Sequence, residues 1–503
     1  MVKPLFAGTS WDFSDIQRIY DAVEEVGVGE MGLNIYRNQL EIISAEQMLD
    51  AYSSHGLPVM YPHWSFGKHF ARDEALYRKG YQGLAYEIVI NSDPCINYLM
   101  EENSATMQAL VIAHAAMGHN HFFKNNFLYR HWTDAGSILD YMSFAKDYVI
   151  HCERKHGTEA VEQVLDAAHA LMDQGVFRHK RPGKPNRDAK RERMERRLEE
   201  IDADQNELWS TLPKRPPSPV VTFDEEDWDE IRLPEENILY FLEKNSPKLK
   251  GWQRELLRIV RMTAQYFHPN RQTKMANEGC ATFVHYHILH RLYDKGLLTE
   301  GSILEAMHSH SSVVYQPGFD SRYYSGINPY ALGFNMMMDI KRMCLEPTQE
   351  DHDWFPHIAG NGDWLGVLKD AWANYRDESF VAQFLSPKVI RDMKLFSIMD
   401  DSNDDSYYVS DIHDERGYRR VRKHLSEMYD IGLNTPDVQV VDMDPKTRQL
   451  LLVHNSRNGL HLEPNNGAAV NDLVERLWGF EVLIEERKIP TPAVEGTIFE
   501  AWD

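Results

Sequence analysis

The sequence has few cysteines, a deficit of basic residues and no long apolar segment. Its 503 residues include four cysteines without a CxxC pair, which argues against a disulfide framework and a cysteine-ligated zinc site. The 54 Lys and Arg against 77 Asp and Glu give a net charge of −23. Nucleic-acid binding depends on clustered basic residues, so that partner is not expected. Without a signal-peptide run or a span of about 18 apolar residues, we expect a cytoplasmic protein with no membrane insertion.

Apolar residues make up 43% of the chain and aromatic residues 11%, which is enough to build the cores of two or more domains. Apolar residues at helical spacing predict a mainly helical unit over residues 1–345. Strand-like segments such as VQVVDMD and QLLLVHN follow later in the sequence. They predict a separate α+β domain over 395–503, after a connecting segment at 346–394. The predicted fold class is therefore α+β.

One segment differs sharply in charge from the rest of the chain. Residues 178–197, RHKRPGKPNRDAKRERMERR, contain ten Lys and Arg against three Asp and Glu, and acidic and proline-containing sequence follows. This composition predicts a charged linker or mobile insertion at about 178–230. Its role has two interpretations. The segment is either a solvated helix with a tether, or it contacts RNA or a partner protein.

Three histidines, His114, His119 and His121, lie within eight residues and suggest a metal site, because imidazole is a common ligand. Residues i and i+5 of an α-helix lie ~140° apart, whereas the HExxH motif of zinc peptidases places two histidines on one face at i and i+4. His114 and His119 can therefore share an ion only if the helix is interrupted. We expect Gly118 to end the helix, and a divalent ion, zinc as first choice, with His121 as a further ligand.

A second motif, NEGCATFVHYH at 277–287, resembles the NEGxA pattern of zinc aminopeptidases, in which the glutamate is the third metal ligand. Glu278 is the corresponding residue here. His285 lies ~10.5 Å further along the helix axis. We therefore expect it to contact a metal-ligating side chain, to donate a proton in catalysis or to bind a second metal. His114, His119 and Glu278 are expected to converge, with His121 and His285 adjacent. Alternatively, these histidines are hydrogen-bonded structural residues between helices.

The residue after His114 is Ala115, where an HExxH enzyme carries the general base that activates water. Other carboxylates are candidates for this role. Glu87 belongs to a predicted strand, and Glu101 and Glu102 precede the histidine-bearing helix. Each of them is alternatively an ordinary surface acid.

Several motifs, in order along nearly the whole chain, resemble the SpoVR family, named after stage V sporulation protein R. They are HWSFGK (63–68), YEIVIN (86–91), NYLMEEN (97–103), HxxxGHxxFFKNN (114–126), WQRELLRIVR (252–261), TKMANEGCATFVHY (273–286) and INPYALG (327–333). The resemblance implies a cytoplasmic bacterial protein, linked in spore formers to cortex assembly and found elsewhere beside a PrkA-type serine kinase and a von Willebrand A-like protein. The chain departs from the family pattern at His121, where Asp is usual, and at Cys280, where Trp is common.

Two functions are therefore predicted as alternatives. The first is a metal-dependent hydrolase whose N-terminal unit carries a degenerate zincin-like site and acts on a peptide or cell-wall-related bond. The second is a non-enzymatic regulator or scaffold in a stress or sporulation pathway, in which the histidines and Glu278 hold helices together and the C-terminal domain docks a partner.

Overall fold

The computed structural model describes residues 3–53, 60–65, 68, 87–178, 233–319, 321–396, 398–399, 408–409, 413–456 and 460–489. Within these ranges the chain is mainly helical and contains three small sheets, which agrees with the predicted α+β class. The zincin-like character of the N-terminal unit stays a prediction. Apart from Arg178, the basic segment lies outside the described residues. Among the described helices, none combines the length and apolar character that a bilayer crossing requires.

The α-helices of the described residues are numbered in chain order. They are α1 Phe13–Glu24, α2 Ala45–Ser53, α3 Ala105–Ile112, α4 Asn120–Asn125, α5 Phe127–Trp132, α6 Ile138–His156, α7 Thr158–Ala170, α8 Ile238–Asn245, α9 Gly251–Gln272, α10 Lys274–Asp294, α11 Glu300–Val313, α12 Pro329–Leu345, α13 Gln349–Trp354, α14 Trp364–Asn374, α15 Asp377–Phe384, α16 Pro387–Asp392, α17 Glu415–Tyr429, α18 Ile431–Asn434 and α19 Pro464–Trp478. Two π-helical segments, Glu25–Glu30 and Ala113–His119, follow α1 and α3 directly.

The strands form sheets of three, two and three members. They are β1 Asn38–Ile43, β2 Glu87–Ile90, β3 Cys95–Met100, β4 Ile398–Met399, β5 Tyr408–Val409, β6 Val438–Met443, β7 Leu450–Ser456 and β8 Val482–Lys488. In the first sheet β3 is central, parallel to β1 and antiparallel to β2. In the last sheet β7 is central, antiparallel to β6 and parallel to β8. The strand predicted to contain Glu87 and those predicted at VQVVDMD and QLLLVHN are thus present, as β2, β6 and β7.

Contacts divide the chain into two compact units. One combines Met1–Asp166 with Met262–Pro436, and the other combines Ala167–Arg261 with Asp437–Asp503. Each unit therefore joins segments that are far apart in the sequence. The domain boundaries expected at residues 345 and 395 stay predictions.

Helix α10 is the centre of the first unit. It is buried along most of its length, and it packs against the π segment Ala113–His119 on one side and against α12 on another. Helix α3 begins directly after Ser104, because the Ser104 side chain accepts a hydrogen bond from the Met107 amide and caps the helix. The strand pair β2–β3 lies beside the π segment, which brings the start of β2 close to the histidines.

The second unit packs α8 and α19 with the sheet β6–β7–β8. Trp478, at the end of α19, is fully buried beside Phe241, with ring centroids 5.5 Å apart. Its indole N–H donates to the Arg448 carbonyl at 2.6 Å, which satisfies the polar end of a large apolar side chain. The Ser246 hydroxyl donates to the Leu477 carbonyl at 2.6 Å. These bonds hold the end of α19 in place.

Candidate metal centre

His114 and His119 lie on the π-helical segment Ala113–His119. In a π-helix the backbone hydrogen bonds run between residues five apart, so the side chains of residues i and i+5 come to the same side. The two imidazole rings are accordingly neighbours, with centroids 4.6 Å apart. The prediction that Gly118 ends the helix was wrong, since the chain stays helical to Asn125. The wider turn, and not a helix stop, brings the histidines together.

Gly118 instead permits a close helix contact. A Cβ atom at this position would lie 2.4 Å from Ala281 Cα and 2.9 Å from Ala281 Cβ, which is far inside van der Waals distance. The π segment and α10 can therefore approach each other only because residue 118 lacks a side chain. This approach sets the distance between the histidines and Glu278 on α10.

Glycines also allow α10 to approach α12. A Cβ on Gly279 would lie 2.7 Å from Gly333 Cα, and one on Gly333 would lie 2.5 Å from the Met275 carbonyl oxygen. The motifs NEGCA and INPYALG thus meet in space through their glycines. Helix α10 is held closely on two sides, and Glu278 is fixed between the two contacts.

The side chains of His114, His119 and Glu278 converge. Glu278 Oε2 lies 3.5 Å from His119 Nε2 and 3.8 Å from His114 Nε2, and one ligand atom from each residue lies within 4.8 Å of the other two. Ligands at 2.0–2.2 Å from a tetrahedral zinc ion are about 3.3–3.5 Å apart. The triad is therefore close to the size that a shared ion requires.

Glu278 Oε2 is buried and has no hydrogen-bond partner among the atoms that the structure describes. The histidine nitrogens at 3.5 and 3.8 Å are too distant for a normal hydrogen bond. A buried carboxylate oxygen without a partner costs free energy, and an ion coordinated by it would remove that cost. This oxygen is the observation on which the fit of a cation to the triad depends.

The other ring nitrogen of each histidine is hydrogen-bonded. His119 Nδ1 lies 2.9 Å from Asn277 Oδ1, and His114 Nδ1 lies 2.9 Å from His285 Nδ1. Both rings therefore turn Nε2 towards Glu278. Metal-ligating histidines in proteins are typically oriented in this way by an acceptor on the opposite nitrogen.

Burial dominates the electrostatics of the triad. It lowers the pKa of His119 to about 4, so this imidazole is neutral near pH 7, as a metal ligand must be. Burial also raises the pKa of Glu278, but its electrostatic interactions with the His119 and His114 imidazoles and with the Tyr330 side chain outweigh burial and leave that pKa below its ordinary value. The pKa of His114 is raised, because Glu278 and Glu87 together outweigh the opposing effect of burial.

The structure places the predicted catalytic carboxylates differently. Glu87, the first residue of β2, lies with Oε1 3.7 Å from His114 Nε2, and burial raises its pKa. Glu102 is exposed in the turn between β3 and α3. Glu101 is exposed in the same turn. Of these acids, Glu87 alone is brought to the triad.

His121, predicted as a fourth ligand, points elsewhere. Its Nδ1 accepts a hydrogen bond from the Asn34 backbone N–H at 3.0 Å, and its ring meets the edge of Trp372, with centroids 5.7 Å apart. The group of potential ligands found among the described residues does not include it. Its assignment as a ligand stays a prediction without support from this geometry.

The sequence comparisons agree with the motifs. Residues 10–434 match the family model described as SpoVR like protein, and residues 436–488 match the SpoVR-like C-terminal domain. The chain belongs to the SpoVR family. It is also 50% identical, over 481 residues, to the "Uncharacterized protein YcgB" of Escherichia coli (strain K12). The aligned region covers 95% of this chain and 93% of that protein. No solved structure matches the chain. The predicted family resemblance is thus confirmed.

In this SpoVR-family chain the sequence motifs missed one residue beside the site. His310 on α11 is buried, and its Nδ1 lies 2.9 Å from Nε2 of His285. A signal for it exists: Ser302, Ala306 and His310 are the buried residues of α11, spaced four apart as the inner face of a helix should be. Burial lowers the pKa of His310 to about 4 and that of His285 well below its ordinary value.

Proposed function

We propose that this SpoVR-family chain is a metal-dependent hydrolase in which His114, His119 and Glu278 hold a divalent ion and Glu87 acts as the general base. The observation that carries the proposal is the buried Glu278 Oε2, which has no hydrogen-bond partner among the described atoms and faces two imidazole nitrogens. When bound, the ion supplies Lewis-acid activation of water and of the scissile carbonyl. Two histidine nitrogens and one carboxylate oxygen suit zinc, our proposed ion.

Glu87 is better suited to proton transfer than to coordination. Its Oε1 is 3.7 Å from His114 Nε2, but it is not part of the group of three ligand atoms. Burial raises its pKa, which moves the carboxyl group towards the range in which a general base works at neutral pH. In this proposal Glu87 accepts the proton of the attacking water at a carboxylate oxygen and returns it to the leaving group.

The other described residues of the centre hold the ligands. Asn277 fixes the ring of His119, and His285 fixes the ring of His114, through the hydrogen bonds at 2.9 Å. For the substrate we propose a peptide or cell-wall-related amide bond, in keeping with the family resemblance and the degenerate zincin-like motif. Cytoplasmic location and functional association with a PrkA-type kinase and a von Willebrand A-like protein are part of the same proposal.

A second candidate function is a regulator or scaffold without catalysis. It is favoured by the same hydrogen bonds, because His114 with His285 and His119 with Asn277 connect the π segment to α10 without needing an ion. In that case the histidines serve the stability of the helix packing and Glu278 is a buried acid of the core.

Metal analysis of purified protein tests the proposal. We expect about one zinc per chain in the wild type and little or none in Glu278→Gln, because the variant loses the only charged ligand of the triad. Glu102→Gln is the matched control: this carboxylate is exposed, so its loss should change neither zinc content nor hydrolysis of peptide or peptidoglycan fragments.

Two outcomes would contradict the metal centre. One is wild-type protein that takes up no zinc, manganese or iron. The other is a Glu278→Gln variant with the metal content of the wild type. If in addition Glu278→Gln keeps its function and loses only about 1–3 kcal/mol of stability, the range for one buried polar contact, the scaffold is the correct function.

A further inference from the structure

Three buried histidines from separate segments form a hydrogen-bonded series. His114 lies on the π segment, His285 on α10 and His310 on α11. The Nδ1 atoms of His114 and His285 are 2.9 Å apart, and Nε2 of His285 is 2.9 Å from Nδ1 of His310. Each contact thus joins two ring nitrogens at hydrogen-bond distance.

The direction of these two bonds follows from the chemistry of imidazole. A neutral ring has one N–H and one nitrogen lone pair, so every nitrogen–nitrogen contact needs the proton on one partner only. If Nε2 of His114 offers its lone pair to an ion, the proton of that ring is on Nδ1. His285 must then accept at Nδ1, carry its own proton on Nε2 and donate it to Nδ1 of His310. One end of the series therefore determines all three tautomers.

We propose that His285 and His310 are positioning residues that lock His114 in the tautomer whose Nε2 binds the ion. This inference rests on the proposed metal centre and extends it to a residue on a third helix. Without the acceptor on His310, the proton of His285 is free to move to Nδ1, where it would face the Nδ1 proton of His114. The ring of His114 would then lose its fixed orientation towards Glu278.

The surroundings of His310 support this role. Its ring lies among aromatic side chains, with centroids 4.7 Å from Phe334 and 5.1 Å from Tyr286. Helix α11 is also tied to the start of α3, because the Ser104 hydroxyl donates to the Glu305 carboxylate. The acceptor nitrogen of His310 is therefore held in place by packing.

Zinc affinity of three variants tests the lock, measured by competition with a chelating dye together with the melting temperature of the zinc-free protein. We expect His310→Leu to weaken zinc binding about 10- to 100-fold, the usual effect of removing such a partner. His310→Asn should stay within about threefold of the wild type, because its Oδ1 can accept in place of Nδ1. His308→Leu, an exposed position on the same helix, should have no effect.

The outcomes separate the possible failures. Wild-type affinity in His310→Leu, or equal losses in the Leu and Asn variants, would overturn the lock. If the variants fold and show the expected order of zinc affinities but the wild type hydrolyses nothing, the proposed hydrolase function is contradicted and the lock is not. A wild type that binds no zinc would overturn both the metal-dependent hydrolase and the lock. If His310→Leu does not fold, nitrogen-15 histidine spectra of the zinc-loaded wild type decide: a proton on Nδ1 of His114 and Nε2 of His285 is required, and the opposite assignment refutes the lock.

Discussion

Gly118 lies so close to Ala281 that a Cβ atom on the glycine would be 2.4 Å from Ala281 Cα. This contact joins the segment that carries both histidines to the helix that carries Glu278. The geometry of the candidate metal centre therefore depends on a backbone contact as much as on the three ligands.

Gly118→Ala should damage both stability and metal binding. The added methyl group must push the π segment away from α10, and overpacking of this kind costs about 1–3 kcal/mol. Urea unfolding of the metal-free protein measures the first effect and zinc titration the second. Gly29→Ala is the control, since a Cβ there meets nothing within 4 Å. Unchanged stability in Gly118→Ala would show that the two helices separate easily.

Glu87→Gln should separate binding from chemistry. Glu87 lies beside the triad but is not part of the ligand group, so the variant should keep its zinc. Loss of a general base typically reduces the rate about 100- to 10,000-fold, and the hydrolysis rate at saturating substrate measures this. A variant that loses zinc together with activity would make Glu87 a ligand.

Asp377 should make stability depend on pH. It accepts hydrogen bonds from the backbone N–H groups of Met275 and Ala276 at 2.9 and 2.8 Å, and burial raises its pKa to about 7 although both bonds act in the opposite direction. An unfolded aspartate titrates near 3.9. Between about pH 4 and 7 the folded chain thus binds more protons than the unfolded chain, and the contribution of Asp377 to stability falls as the pH rises.

The variant Asp377→Asn measures this contribution. Its free energy of unfolding relative to the wild type should increase with pH across that window, by at most about 1.4 kcal/mol per pH unit. The amide oxygen can replace only one of the two accepting carboxylate oxygens, so the variant loses one hydrogen bond at every pH. The slope of stability against pH, and not its absolute value, is therefore compared between the two proteins. Parallel curves for the two proteins between pH 4.5 and 6.5 would show that the carboxyl group is ionised throughout.

Asp351→Asn should be strongly destabilising. Its carboxylate binds the Arg342 guanidinium through two hydrogen bonds of 2.7 Å, and Asp351 is almost completely buried. Arg342 keeps its second partner, the Asp339 carboxylate at 2.7 Å, so the variant loses charge-assisted hydrogen bonds of a buried carboxylate, which costs about 1.5–3 kcal/mol. In the control, Glu350→Gln, the exposed pair with Arg391 is lost, which costs at most about 1 kcal/mol. Thermal melting distinguishes the two, and similar losses would contradict the argument.

The elements that depend on local sequence could be predicted. The cap at Ser104 and strands such as β1 and β7 follow from residue type and alternation. The convergence of residues 114, 119 and 278 was also predictable, because two histidines and a glutamate in otherwise apolar helices need a partner. These predictions use information that lies within a few residues of each position.

The features that could not be predicted from the sequence depend on contacts between distant segments. The π turn at Ala113–His119 is stabilised where Gly118 meets α10, and no pattern within the segment itself announces it. The direction of the His121 side chain depends on how α4, which follows the π segment, packs against its neighbours. The direction of Glu102 depends on the conformation of the turn before α3. His310 is a further case, because the structure alone shows which face of α11 is buried, and the other buried residues of that face are the small Ser302 and Ala306.

The π segment also affects how this chain compares with others. An α-helix places two histidines on one face when they are four residues apart, whereas His114 and His119 are five residues apart on the π segment. Deleting one residue between them would therefore give the α-helical spacing. An insertion into such a helix could therefore have produced the present spacing without separating the imidazoles. Two proteins related in this way would align only with a one-residue gap inside a helix, and a search that demands the shorter spacing would overlook this one.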